Sequence, residues 1–237
     1  VVGSNIFNLA LILGLCAIVS PIFVSNDCAK RDLPISLVGV ALLFLFGITQ
    51  TRLNIYSAGF LFLCFIVITT IQIRDSLKKT NLDVDEFVDN NESSLLSLIF
   101  GVMLSIGVIV LGGWLVVDSA VSIAHYFGVS ERIIGLTIAS IGTSLPELVT
   151  SVIATIKRQN DIAVGNVIGS NIFNIFFILG VGGVISPITI SPECVQDCAC
   201  LITLTCLFFI PAFGGRVKRM WGVFFVVSYI TYILLSF

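Results

Sequence analysis

Apolar residues fall into eight long runs, at about 1–22, 34–49, 54–73, 95–117, 132–156, 162–186, 198–213 and 219–236. Turn-forming or charged residues separate them: Ser25-Asn26-Asp27, Thr51-Arg52, the stretch 74–94, Gly128 to Arg132, and Gly214-Gly215-Arg216. Runs of this length match the thickness of a bilayer. Lipid offers no partner to a backbone N–H or C=O, so each run must pair its own groups and is predicted to be a helix. The pattern therefore predicts an all-α, polytopic membrane protein.

Composition supports this. Of 237 residues, 57% are apolar and 11% are charged, with 19 Phe; the mean hydropathy is +1.11. Too little polar surface remains to coat a water-soluble globule, which excludes a soluble enzyme, a nucleic-acid binder and a disordered chain. The net charge of −2 identifies no partner. Seven cysteines are present. Cys16, Cys64, Cys200 and Cys206 sit in apolar runs as small hydrophobes. Cys194, Cys198 and Cys200 lie close together, but no His or second Cys pair completes a metal set.

Charge sets the expected orientation. Alternating the loops between two sides places Lys30, Arg31, Arg74, Lys78, Lys79, Lys157, Arg158, Arg216, Lys218 and Arg219 together, against only Arg52 and Arg132. Positive charge collects on the cytoplasmic side. The first helix is thus expected to run inward, with loop 74–94 cytoplasmic and Phe237 outside.

Residues 1–22 align without gaps to residues 167–188, with 13 of the 22 positions identical at an offset of 166. A weaker echo pairs Tyr56–Phe60 with Arg219–Val223 in the spans that follow. Alternation of sides puts the first copy on an inward helix and the second on an outward one. Two inverted five-helix repeats are expected, an architecture in which secondary transporters place substrate at the repeat interface. Applied to a second half starting near Ser94, the offset places about 70 residues, or two helices, before Val1. The chain, which opens Val1-Val2-Gly3-Ser4-Asn5 without Met or a basic leader, then holds eight of ten helices. The expected divisions are 1–74 for the remainder of the first repeat, 75–93 for a cytoplasmic linker and 94–237 for the second repeat.

The chemistry concentrates between Gly135 and Asn174. Glu147 is an acid inside a span, which costs about 2.5–3.5 kcal/mol without a partner. No Lys or Arg shares the span between Ile133 and Ile156, so a metal cation or a proton is the expected partner, rather than a neutral carboxyl merely packed in the bundle. In Gly142-Thr143-Ser144-Leu145-Pro146-Glu147, Pro146 lacks an N–H and displaces a carbonyl one turn back. Freed carbonyls, the Thr143 and Ser144 hydroxyls and Glu147 form an oxygen set suited to Na+ or Ca2+; the bland reading is a packing kink. Ser170 and Asn174 stand i, i+4 on one helix face and recur as Ser4 and Asn8 in the first copy. Plain interhelical hydrogen bonding explains one such pair less awkwardly than two.

The combination of GTSLPELVTSVIA (142–154) with DIAVGNVIGSNIFN (161–174) resembles the second α-repeat of the sodium/calcium exchanger family, especially its bacterial antiporters, and residues 1–22 resemble the latter part of the first. The resemblance implies ten helices around a central ion site and exchange of Ca2+ for Na+ by alternating access. It further implies that the long helix at 95–117 slides to expose the site. Its ligands would be Glu147, Thr143, Ser144 and the carbonyl near Ser140, with Ser170 and Asn174 from the next helix and Ser4 and Asn8 as first-repeat counterparts. Some members carry Asp where this chain has Asn174, giving this site one carboxylate fewer. A first-repeat acid is expected about 20 residues before Val1. No cofactor, nucleic acid or protein partner is implied beyond the bilayer and the transported Ca2+ and Na+, and the bacterial plasma membrane is the expected location. A Ca2+/H+ antiporter and a transport-inactive fragment are the alternative readings.

Other features carry less. The acidic run Asp83, Asp85, Glu86, Asp89 and Glu92 lacks the Gly and spacing of an EF-hand. His125 sits at a helix end. Ser144 has no His base, so a hydrolase reading fails, and the chain is not expected to be an enzyme.

Overall fold

The computed structural model describes residues 1–83, 95–128, 134 and 140–236. Among the described residues, seven helices are long and apolar enough to cross a membrane. They are α1 (Val2–Val19), α2 (Cys28–Gln50), α3 (Ile55–Asp83), α4 (Leu95–Tyr126), α7 (Asn160–Ile185), α8 (Pro192–Phe213) and α9 (Arg219–Ser236). Two shorter helices, α5 (Ser140–Thr143) and α6 (Leu145–Ile156), lie within the expected run 132–156.

Several helices outrun their apolar cores. The stretch 74–94, read as a loop, is helical as far as Asp83; residues 84–94, including most of the acidic run, lie outside the described residues. Hydropathy ends a span at the first charges, but a helix continues wherever those charges find partners. At this end Arg31 pairs with Asp32 at 2.8 Å and with Asp75 at 3.2 Å, while Gln72 donates to Asp32 at 3.2 Å. The same cluster lets α2 begin at Cys28, through a π-helical turn over Cys28–Asp32. Local chemistry sets other starts. Asn54 Oδ1 accepts from the N–H groups of Tyr56 and Ser57, both at 3.0 Å, and Ser191 Oγ accepts from Cys194 N at 3.3 Å ahead of Pro192.

Polar and apolar faces are arranged for lipid. Leu63, Phe100, Leu111, Phe213 and Leu234 point outward. Exposed hydroxyls satisfy themselves on the carbonyl one turn back, as Thr49 does on Leu45 at 2.7 Å and Thr231 on Val227 at 2.9 Å. The core packs where α1 and α7 meet, around Ile6, Leu9, Ile168 and Ile175.

The packing repeats itself. The second half of α1 lies against α9, and the second half of α7 lies against α3. Two short antiparallel ribbons close opposite ends: β1 (Ile22–Phe23) pairs with β4 (Arg216–Val217), and β2 (Arg52–Leu53) pairs with β3 (Ile188–Thr189). The pairs Ile22–Val217 and Leu53–Ile188 exchange under 188 − 22 = 166 and 217 − 53 = 164. In the outer spans the offset is therefore 164, not the 163 that sets Gly59 against Gly222. The structure agrees, because a Cβ on Gly59 meets open space. Ala58 is the true counterpart: it packs on Gly183 as Gly222 packs on Ala17.

Candidate functional site

Buried polar side chains gather along α1, α5, α6 and α7: Ser4, Asn5, Asn8, Ser140, Ser144, Ser151, Thr155 and Asn171. Such a concentration in lipid marks function. Helix α5 ends and α6 begins at Ser144, whose φ of −104° and ψ of 8° break the helical run. Pro146, at the start of α6, has no N–H for the Gly142 carbonyl. Helix α4 passes this break closely. A Cβ on Gly142 would collide with the Val117 side chain, and one on Gly113 would touch the Gly142 oxygen at 3.5 Å.

Glu147 sits in the first turn of α6, where the helix N-terminus favours an anion. Its Oε1 accepts from Ser170 Oγ on α7 at 3.2 Å. Its Oε2 is buried and meets no donor. Asn166 ties α6 to α7 beneath it, donating to Glu147 O at 3.3 Å and to Ser151 Oγ at 3.0 Å.

On the other flank, Ser4 Oγ lies 3.1 Å from Thr143 Oγ1, which also donates to Ser140 O at 3.3 Å. The Ser140 carbonyl is further engaged by Ser144 N at 3.2 Å. Where α1 crosses α7, Asn8 Nδ2 donates to Asn171 Oδ1 and Asn174 Nδ2 donates to Asn5 Oδ1, both at 3.0 Å. Both helices carry a π-helical turn here, at Phe7–Ile12 in α1 and Asn174–Ile178 in α7, a geometry frequent at functional sites. Asn8 Oδ1 is buried without a donor.

Of the residues singled out from sequence, Ser170 thus meets Glu147, Ser4 meets Thr143, and Asn8 and Asn174 reach the opposite helix through Asn171 and Asn5. Ser144 is buried at the break, where its carbonyl accepts from Leu148 N at 2.9 Å. Asn5, Asn171, Asn166 and Ser151 were missed. The first two stand inside the repeated GSNIFN, so repetition alone could have found them. Among the described residues no group of three or more His, Cys, Asp or Glu is placed to hold a metal ion, and the cysteines are free thiols. The oxygens here are one carboxylate with hydroxyls, amides and carbonyls, which suits hard cations.

The helices and this oxygen-rich centre are those of a multi-pass membrane transporter. The family model for the sodium/calcium exchanger protein matches residues 1–74 and 97–237. The chain belongs to the sodium/calcium exchanger protein family. It is 31% identical to the sodium/calcium exchanger MaX1 of Methanosarcina acetivorans, covering 100% of this chain and 79% of that protein. It is 39% identical to the inner membrane protein YrbG of Escherichia coli over 80% of this chain and 60% of that protein. A structure of the sodium-calcium exchanger NCX_Mj superposes with a TM-score of 0.77 at 30% identity, covering 98% of this chain and 74% of that one.

Proposed function

We propose that this protein exchanges Ca2+ for Na+ across a membrane by alternating access, with both ions held at the crossing of α1 and α7 beside the break between α5 and α6. The observation that carries this reading is the buried, donor-free Glu147 Oε2 beside Ser170. A carboxylate oxygen left so in a membrane interior is stable only with a cation or a proton. Thr143, Ser144, Ser170, Ser4, Asn8, Asn174 and the carbonyl near Ser140 complete the proposed oxygen set. The names of MaX1 and NCX_Mj support Na+ and Ca2+ as the ions.

Two inverted repeats, 1–74 and 94–237 joined by the linker 75–93, account for contacts that recur at offsets of 166 and 164. The side carrying β1 and β4 is proposed to be cytoplasmic, since it holds the excess of Lys and Arg. The bacterial inner membrane is the proposed location, a reading supported by the likeness to YrbG. The test is radioactive Ca2+ uptake into Na+-loaded vesicles diluted into Na+-free medium. Uptake should need the Na+ gradient. Uptake driven equally by a pH gradient without Na+ would contradict Na+ coupling.

A further inference from the structure

Four asparagines lie where α1 crosses α7, and their hydrogen bonds leave no freedom in how the amides face. Asn5 Nδ2 donates to the Asn171 carbonyl at 3.3 Å, and Asn171 Nδ2 donates to the Asn5 carbonyl at 3.2 Å. A backbone carbonyl only accepts, so both NH2 groups must face it. The side-chain oxygens of Asn5 and Asn171 must then face the other way. Each meets an amide that can only answer as a donor: Asn174 Nδ2 on Asn5 Oδ1 and Asn8 Nδ2 on Asn171 Oδ1, both at 3.0 Å. With its NH2 so committed, Asn8 leaves its Oδ1 buried and donor-free.

We infer that Asn5 and Asn171 are positioning residues that fix the amides of Asn174 and Asn8 with their oxygens turned toward the transported ion. The inference rests on the proposed ion site. Asn5 and Asn171 touch no ion themselves; they act by accepting a hydrogen bond. It carries a rule about substitution. A carboxylate at position 174 cannot donate to Asn5 Oδ1 and sets oxygen against oxygen. If Asn5 instead turned its NH2 toward that carboxylate, its own oxygen would face the Asn171 carbonyl. A hydroxyl at position 5, which both donates and accepts, removes the conflict. The residue at 5 therefore decides whether 174 can be an acid, and 171 does the same for 8.

The test is a double-mutant cycle read by Na+-driven Ca2+ uptake in proteoliposomes, with half-saturation and maximal rate measured separately. Asn174→Asp alone should lower uptake about tenfold or more, as expected when a buried charge loses its hydrogen bond. Asn5→Ser alone should cost less, mainly in Ca2+ half-saturation. The double variant Asn5→Ser/Asn174→Asp should recover to within about threefold of Asn5→Ser, since compensation within a contacting pair shows as coupling. Asn8→Asp and Asn171→Ser should behave as the mirror pair. If Asn174→Asp cannot be recovered as folded protein, recovery of the folded double variant supports the same coupling. Additive losses in both pairs, or double variants no better than the single acids, would overturn the inference. Glu147→Gln in the same assay separates the two levels. Full uptake in that variant sinks the ion site itself, whereas lost uptake with additive pairs sinks only the positioning role.

Discussion

Two kinds of helix contact repeat across this molecule, and they are built on opposite physics. The outer seams, α1 on α9 and α7 on α3, are close-packed and rely on missing side chains. A Cβ on Gly222 would come within 2.6 Å of the Gly14 carbonyl, and one on Gly180 within 2.9 Å of the Phe62 backbone nitrogen. The central crossing of α1 and α7 instead carries four amides, with Ser4 and Ser170 reaching across to Thr143 and Glu147. In lipid, helices associate through close packing and interhelical hydrogen bonds, and small residues allow the close approach on which the seams rely. Polar groups there are costly unless something answers them. Among the described residues the centre leaves two buried oxygens without a donor, the Asn8 amide oxygen and a Glu147 carboxylate oxygen, while the α1–α9 seam leaves one, the Tyr229 hydroxyl packed on Phe7. What sets the proposed ion site apart is the kind of oxygen left over: a carboxylate and an amide oxygen among hydroxyls draw a hard cation, whereas a lone phenol hydroxyl in a seam does not.

Breaking the centre should cost most. Asn171→Leu removes the donor to the Asn5 carbonyl and the acceptor for Asn8, orphaning buried groups worth about 1–3 kcal/mol each. Ca2+ uptake should fall about a hundredfold, measured in vesicles at matched protein, in keeping with a loss of that size. Breaking a seam should show first in stability. Gly222→Val forces a branched side chain into the α1 backbone, and overpacking of about 1–3 kcal/mol should lower the thermal midpoint in detergent by roughly 5 °C. Ser170→Ala, which removes one hydroxyl beside Glu147, should raise the Ca2+ half-saturation about tenfold with little change in melting, as one lost charged hydrogen bond would. Gly59→Ala, with open space around it, should stay within about 0.5 kcal/mol of the parent.

Which helices meet in the seams, and the offset of 164 in the outer spans, could not be read from the chain, since both depend on the partner helix. The spans largely could, because hydropathy acts through local sequence. Glu147, Pro146 and the Ser/Asn pairs stood out for the same reason: each violates the apolar pattern of its own span. What escaped depends on the opposite helix. Asn5 and Asn171 share a motif with Ser4 and Ser170, but only the crossing of α1 and α7 turns each amide onto the other's backbone. Asn166 matters only because α6 folds back on α7 and brings Glu147 O and Ser151 to it. The start of α2, and the continuation of α3 past its apolar run as far as Asp75, were misjudged because Arg31, Asp32, Gln72 and Asp75 are favourable only as a cluster.

One measurement bears on the centre most directly: Na+-driven Ca2+ uptake of the parent and of Glu147→Gln, reconstituted at equal density. The amide keeps the size and the acceptor for Ser170 but replaces the donor-free anionic oxygen with a neutral group. Uptake should be abolished while the folded yield is kept. Uptake in Glu147→Gln equal to the parent would contradict an ion site built on that oxygen.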